Sequence, residues 1–121
     1  MNEGNCKVNQ VDTYGQSPMF YASREGHLDV IKKLVSYGGD IDLVDNNGQT
    51  PIFYAIKGGK AQVVEFMLQN GINRDIIDKK NTSIYQWTKR HNKPVILELL
   101  KHYNAAPESE VSKQKGKVQA E

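Results

Sequence analysis

Three aspartates, Asp12, Asp45 and Asp78, recur at intervals of 33 residues, and the residues around them recur in the same register. Gly15 returns as Gly48, Pro18 as Pro51, Phe20 as Phe53, Tyr21 as Tyr54, Ala22 as Ala55, Gly26 as Gly59 and Gly38 as Gly71. Self-similarity at a period of this size is the sign of stacked supersecondary units, each too small to bury its own apolar face. Such a chain does not close around a central pocket. It builds an elongated all-α stack in which each unit leans on its neighbours and one long groove stays open.

Within a unit the signals come in a fixed order. Asp12-Thr13-Tyr14-Gly15 reads as a turn, and Ser17-Pro18 opens a short helix, with the serine hydroxyl expected to cap it and proline suited to the first helical position. Gly26 breaks that helix by supplying a left-handed backbone at little cost. A longer helix follows, with Leu28, Val30, Ile31, Leu34 and Val35 spaced mainly by three and four, and Gly38-Gly39 ends it. The second unit repeats this with Asp45-Asn46-Asn47-Gly48, Thr50-Pro51 and Gly58-Gly59, and then Val63, Val64, Phe66, Met67 and Leu68. The third departs from it: Asn81 replaces the turn glycine, Ile84 the proline and Asn92 the break glycine, while Pro94, Val95, Ile96, Leu97, Leu99 and Leu100 keep the apolar face. Asparagine tolerates left-handed backbone better than most residues, so the pattern is expected to survive. The expected divisions are an arm or the tail of a preceding repeat at 1–11, units at 12–44 and 45–77, a degenerate capping unit at 78–106, and a disordered polar tail at 107–121. Val8-Asn9 stands where Ile41-Asp42 stands one period later, which suggests a fragment of a longer array.

Composition excludes several classes. A chain of 121 residues with 25% charged residues and a net charge of +2 lacks the concentrated basic face that nucleic-acid binding calls for. No apolar run approaches the about 18 to 20 residues of a membrane span, and the opening lacks signal-peptide order. An intracellular protein, cytoplasmic or nuclear, is expected. Cys6, the single cysteine, rules out an internal disulfide.

The quoted residues resemble the ankyrin repeat, whose signature runs Asp-x-x-Gly, then Thr-Pro-Leu-His, then Gly-His-Leu-Glu-Val-Val and Gly-Ala-Asp. This chain offers Asp12-Thr13-Tyr14-Gly15, Ser17-Pro18-Met19-Phe20, Gly26-His27-Leu28-Asp29-Val30-Ile31 and Gly38-Gly39-Asp40-Ile41-Asp42, and the second unit Thr50-Pro51-Ile52-Phe53 with Val63-Val64. The resemblance runs from about Val8 to Tyr103. It implies a solenoid of helix-turn-helix units joined by β-turn or hairpin loops. Phe20, Phe53 and Gln86 stand where the family has histidine, so ring packing is expected in place of the usual hydrogen bond. Gln86, Lys89 and Lys101 fall where the second unit has Phe53, Ile56 and Leu68, as suits an end unit that meets water. Trp87, in register with Tyr21 and Tyr54, is expected to shield that end.

No catalytic set stands out, and neither an enzyme nor a cofactor or metal is expected. His27, His91 and His102 are scattered. Asp40, Asp42 and Asp45 fail calcium-loop spacing because Val44 occupies a ligand position. Gly58-Gly59-Lys60 follows a helix rather than a strand, which argues against a phosphate loop. By resemblance, partner contacts come from the turn tips and the exposed side of the short helices, lining the concave surface. Carried over, the tips are Thr13, Tyr14 and Gln16, Asn46, Asn47 and Gln49, and Lys79, Lys80 and Thr82. The helix positions are Arg24 and Glu25, Lys57 and Gly58, and Arg90 and His91. Arg24, Lys57 and Arg90 are again 33 apart and should form a row of cations suited to an acidic peptide. The expected function is a non-enzymatic protein-interaction module; the alternative is an accessory segment that targets a larger enzyme, such as a methyltransferase or acyl-transfer protein. A monomer is expected ahead of a dimer, no membrane association is expected, and nucleic acid or anionic lipid is disfavoured by Asp12, Asp45 and Asp78 near the row.

Overall fold

The computed structural model describes residues 8–103, so the expectations placed on 1–7, on Cys6 and on the tail from 104 onward lie outside it. The described residues form six helices: α1 Pro18–Glu25, α2 Leu28–Ser36, α3 Pro51–Lys57, α4 Ala61–Gln69, α5 Ile84–Arg90 and α6 Pro94–His102. Each short helix packs on the longer one after it; α1, α3 and α5 then pack in series, as do α4 and α6. No strand occurs among the described residues, where an isolated antiparallel bridge joins Ile77 to Ser83. The all-α stack inferred from the period is the observed architecture.

Local chemistry places the breaks. Gly26 takes φ 78° as α1 ends, and the next amide, that of His27, donates back to Ala22 O at 2.9 Å. In the third unit Asn81 (φ 65°) and Asn92 (φ 55°) adopt the left-handed backbone of Gly48 (φ 75°) and Gly59 (φ 71°), so asparagine does replace glycine there. The capping expectation needs correction. Neither Ser17 nor Thr50 caps its helix through the side chain, and Ser17 Oγ is buried without a partner among the described residues. At the same position of the third unit Ser83 does cap: its Oγ accepts from Gln86 N at 3.1 Å, and its own amide donates to Gln86 Oε1 at 3.0 Å. The difference lies three residues on, where Phe20 and Phe53 cannot answer the cap amide and Gln86 can.

The core runs along the stack. Phe20, Phe53, Ile31, Ile56, Ile84 and Leu100 are fully buried, joined by Met19, Ile52, Met67, Leu68 and Ile96. Phe20 meets Tyr54 edge-on at 5.8 Å and Phe53 meets Trp87 at 5.7 Å, so each ring in the family's histidine position packs against the aromatic residue of the next unit. The two ends differ. Gln86 and Lys89 lie exposed where Phe53 and Ile56 are buried. At the other end Val30 is 44% exposed, whereas its equivalents Val63 and Ile96 are 1% and 2% exposed, because among the described residues no helix pair packs on that side of α1 and α2. Of the apolar stripe read for α2, only Ile31 is buried.

Candidate functional site

The turns are built around the three aspartates. Asp12 Oδ1 accepts from Tyr14 N and Gln16 N at 2.9 and 3.0 Å, Asp45 Oδ1 from Asn47 N and Gln49 N at 2.9 Å each, and Asp78 Oδ1 from Lys80 N and Thr82 N at 2.9 Å each. The second carboxylate oxygen ties neighbouring parts together. Gln16 Nε2 donates to Asp45 Oδ2 and Gln49 Nε2 to Asp78 Oδ2, both at 2.9 Å, while the Tyr21 and Tyr54 hydroxyls donate to Asp12 and Asp45. Backbone bonds then link tip to tip: Asn46 N to Tyr14 O at 3.0 Å, Lys79 N to Asn47 O at 3.1 Å. Asn46 Nδ2 adds a bond to Thr13 O at 2.9 Å.

This lattice sets the proton affinities. The Tyr21 hydroxyl, followed by the Gln16 amide, holds the Asp12 carboxyl below its ordinary value, and the same hydroxyl bond raises Tyr21. Burial, then the bond to Asp45, raises Tyr54. For Asp78 burial pulls upward, but the Gln49 amide, the Thr82 and Lys80 amides and the nearby Arg90 charge outweigh it and leave the carboxyl below its ordinary value. All of this serves architecture.

Three of the expected contact residues are therefore corrected. Gln16 and Gln49 are 7% and 6% exposed, with their amides spent on the next unit's aspartate, so neither side chain is offered to a partner. Thr82, at the same register, is buried as well. The cation row is also uneven. Arg24 is half-buried, its guanidinium 5.0 and 5.2 Å from the Tyr21 and Tyr54 ring centres, and it donates to Gln16 Oε1 at 3.2 Å. Lys57 and Arg90 close the equivalent helices α3 and α5 and stay exposed, as do Lys79 and Lys80 at the third tip. His91 lies half-buried with its ring 4.4 Å from Trp87; burial first, then Lys57, Lys93 and Arg90, depresses its pKa, which favours a neutral ring. Tyr14 is 66% exposed, and Thr13, Glu25, Asn46 and Asn47 are exposed too. Trp87 does stand at the end of the aromatic column, with its indole N–H donating to Phe53 O at 2.8 Å.

One column went unread in the sequence. Val11, Val44 and Ile77 are 47%, 48% and 52% exposed, each immediately before a turn aspartate and each one period from the next. Their recurrence was visible in the sequence, where Val44 alone was singled out, as a residue that spoils calcium-loop spacing. The uniform exposure shows that they face water in every unit whether or not that unit is covered by a neighbour. Beside the exposed cations they give the surface both apolar area and positive charge. Among the described residues no three His, Cys, Asp or Glu side chains come together as a metal site. No helix is long and apolar enough to cross a membrane.

Residues 19–68 match the family model described as ankyrin repeats (many copies). No curated protein matches the chain.

Proposed function

We propose that this chain, whose residues 19–68 match ankyrin repeats, is a protein-protein interaction module of the kind such repeats generally form, and that it binds a partner carrying an acidic segment across its turn tips. The observation behind this reading is the recurrence, one period apart, of an exposed apolar residue before each turn, at Val11, Val44 and Ile77, with exposed Lys57, Lys79, Lys80 and Arg90 concentrated toward the third unit. Apolar contact supplies most of the binding free energy in such an interface, and charge supplies register and a faster encounter. Tyr14 anchors the end where cations are fewest, since Arg24 is already held between two rings. Single exposed ion pairs contribute about 0 to 1 kcal/mol, so the cations act as a group.

Affinity capture with the intact protein identifies the partner. Purified partner is then titrated against wild type and a Lys57→Glu, Lys79→Glu, Arg90→Glu variant at two salt concentrations. The variant should bind at least about tenfold more weakly, equivalent to about 1.4 kcal/mol, with a flatter salt dependence. Val44→Asp should weaken binding at every salt concentration. Unchanged affinity in both variants contradicts the reading.

A further inference from the structure

Resting on the interaction reading above, we propose that the acidic segment carries a phosphorylated side chain, and that Lys57, Arg90 and Lys93 bind its phosphate where the second and third units meet. The stacking of the units brings these cations together. Lys57 closes α3 and Arg90 closes α5, one period apart on helices that pack in series. Lys93, just before α6, reaches back over the break of the second unit, where a Cβ on Gly59 would lie 3.5 Å from its Nζ. Gly58 and Gly59 put no side chain into that space. The arrangement is not a phosphate loop, because the charge comes from side chains of two units rather than from backbone amides between a strand and a helix.

His91 marks the point of convergence. Its ring, half-buried against Trp87, feels Lys57, Lys93 and Arg90 together, and the charges acting on it are all positive. Its Nε2 is buried without a partner among the described residues. Within those residues none of the three cationic side chains has an ion pair or a hydrogen bond to offset it; the ion pair found there joins Lys101 to Glu98. Arg90 also bears on Asp78, but both oxygens of that carboxylate are already taken by amides. A carboxylate would bring a single charge and two oxygens. A phosphorylated side chain brings a charge of about −1.5 to −2 and three acceptor oxygens, enough to meet the Arg90 fork and two ammonium groups at once. A membrane surface or an extended polyanion fits less well, because the same edge of the first unit presents exposed Glu25 and an arginine already held between two rings.

His91 also supplies the readout. In NMR of the histidine-labelled full chain at matched ionic strength, N-acetyl-O-phosphoserine amide should raise the His91 pKa toward its ordinary value, since a bound anion offsets the cations that depress it. The signals of His27 and His102 should be unmoved by the probe. Binding should saturate with a dissociation constant of about 5 mM or tighter, and the amide of N-acetylglutamate should bind at least about tenfold more weakly. Lys93→Ala should weaken phosphoserine binding at least about tenfold, the loss of one charge-assisted contact, while circular dichroism shows unchanged helicity. Lys33→Ala removes an exposed lysine on α2 and should leave the probe bound. Four results overturn the proposal. They are a His91 signal that stays fixed up to about 25 mM probe, where a 5 mM site would be mostly filled, a glutamate probe as effective as the phosphoserine one, a folded Lys93→Ala variant that binds as well as wild type, or vesicles containing phosphatidic acid that bind the chain while the phosphoserine probe does not. A glutamate probe of equal strength would leave the acidic-segment reading standing, whereas that reading fails through its own variants, so the two failures are distinguishable.

Discussion

The second and third units trace nearly the same backbone with different chemistry, and the contrast shows which parts of the repeat belong to geometry and which to having a neighbour. Gly48 and Asn81 both sit at positive φ, as do Gly59 and Asn92, so the turns and breaks demand a left-handed residue in either unit. What changes is the side that faces the next unit. Phe53 and Ile56 are fully buried because α5 and α6 cover them, whereas Gln86 and Lys89 meet water. The exchange of a ring for an amide then alters the helix start: Gln86 can answer the Ser83 amide, and a capping box appears that Thr50 lacks. Polar bonds also tie the two units together: Arg74 donates to Leu68 O and Tyr103 O at 2.8 Å each, while the Tyr103 hydroxyl donates to Glu65 Oε2 at 3.1 Å.

The largest expected effect comes from breaking this division of labour. Phe53→Ala should cost about 3–5 kcal/mol in urea unfolding, since it empties a fully buried site and removes the edge contact to Trp87. Gln86→Ala, at the same register, should cost only about 1 kcal/mol, the loss of a cap. Equal losses would mean that the third unit is covered by something else. Next in size is the pair of left-handed turns. A Cβ on Gly48 would lie 2.8 Å from Lys79 N, so Gly48→Ala should exceed the about 1–2 kcal/mol usual for this backbone region. Asn81→Gly should change stability by less than about 0.5 kcal/mol, because glycine adopts the same φ without strain.

Smaller still is the comparison of caps. Ser83→Ala should cost about 1 kcal/mol, while Ser17→Ala should be neutral or stabilising, because the Ser17 hydroxyl is buried without a partner. The smallest effect is in acid. The Asp78 carboxyl holds its proton less tightly in the folded state than its ordinary value of 3.8, so its contribution is complete above that value and is lost as pH falls through the lower folded one. Gln49→Leu removes the side-chain bond to Asp78, brings the folded value back toward the ordinary one and should therefore shrink that acid loss. A profile identical to wild type would show that the backbone amides alone hold the carboxylate.

The period of 33 made the stack legible, along with its glycine and asparagine breaks, because each marks a backbone requirement that does not depend on distant contacts. The polar outer positions Gln86 and Lys89 were legible for another reason, because each stands one period from a core residue of the second unit, Phe53 or Ile56. Side-chain destinations were less so. Gln16 and Gln49 read as exposed tips because they lie inside a turn motif, yet each reaches across to the next unit's aspartate, a pairing visible only once the units are stacked. Arg24 read as a free cation, but the tyrosines that hold it come from two different units. The exposure of Val11, Val44 and Ile77 was not legible, because periodicity alone does not say which side of a stack a residue faces.

The central claim is that stability is passed from neighbour to neighbour along the stack, in which, among the described residues, the second unit is the one covered on both sides. Amide hydrogen exchange on wild type tests it directly. The slowest amides should lie in α3 and α4, with faster exchange in α2 and the last turn of α6. Protection that is uniform across all six helices, as for a globule around one shared core, would contradict it.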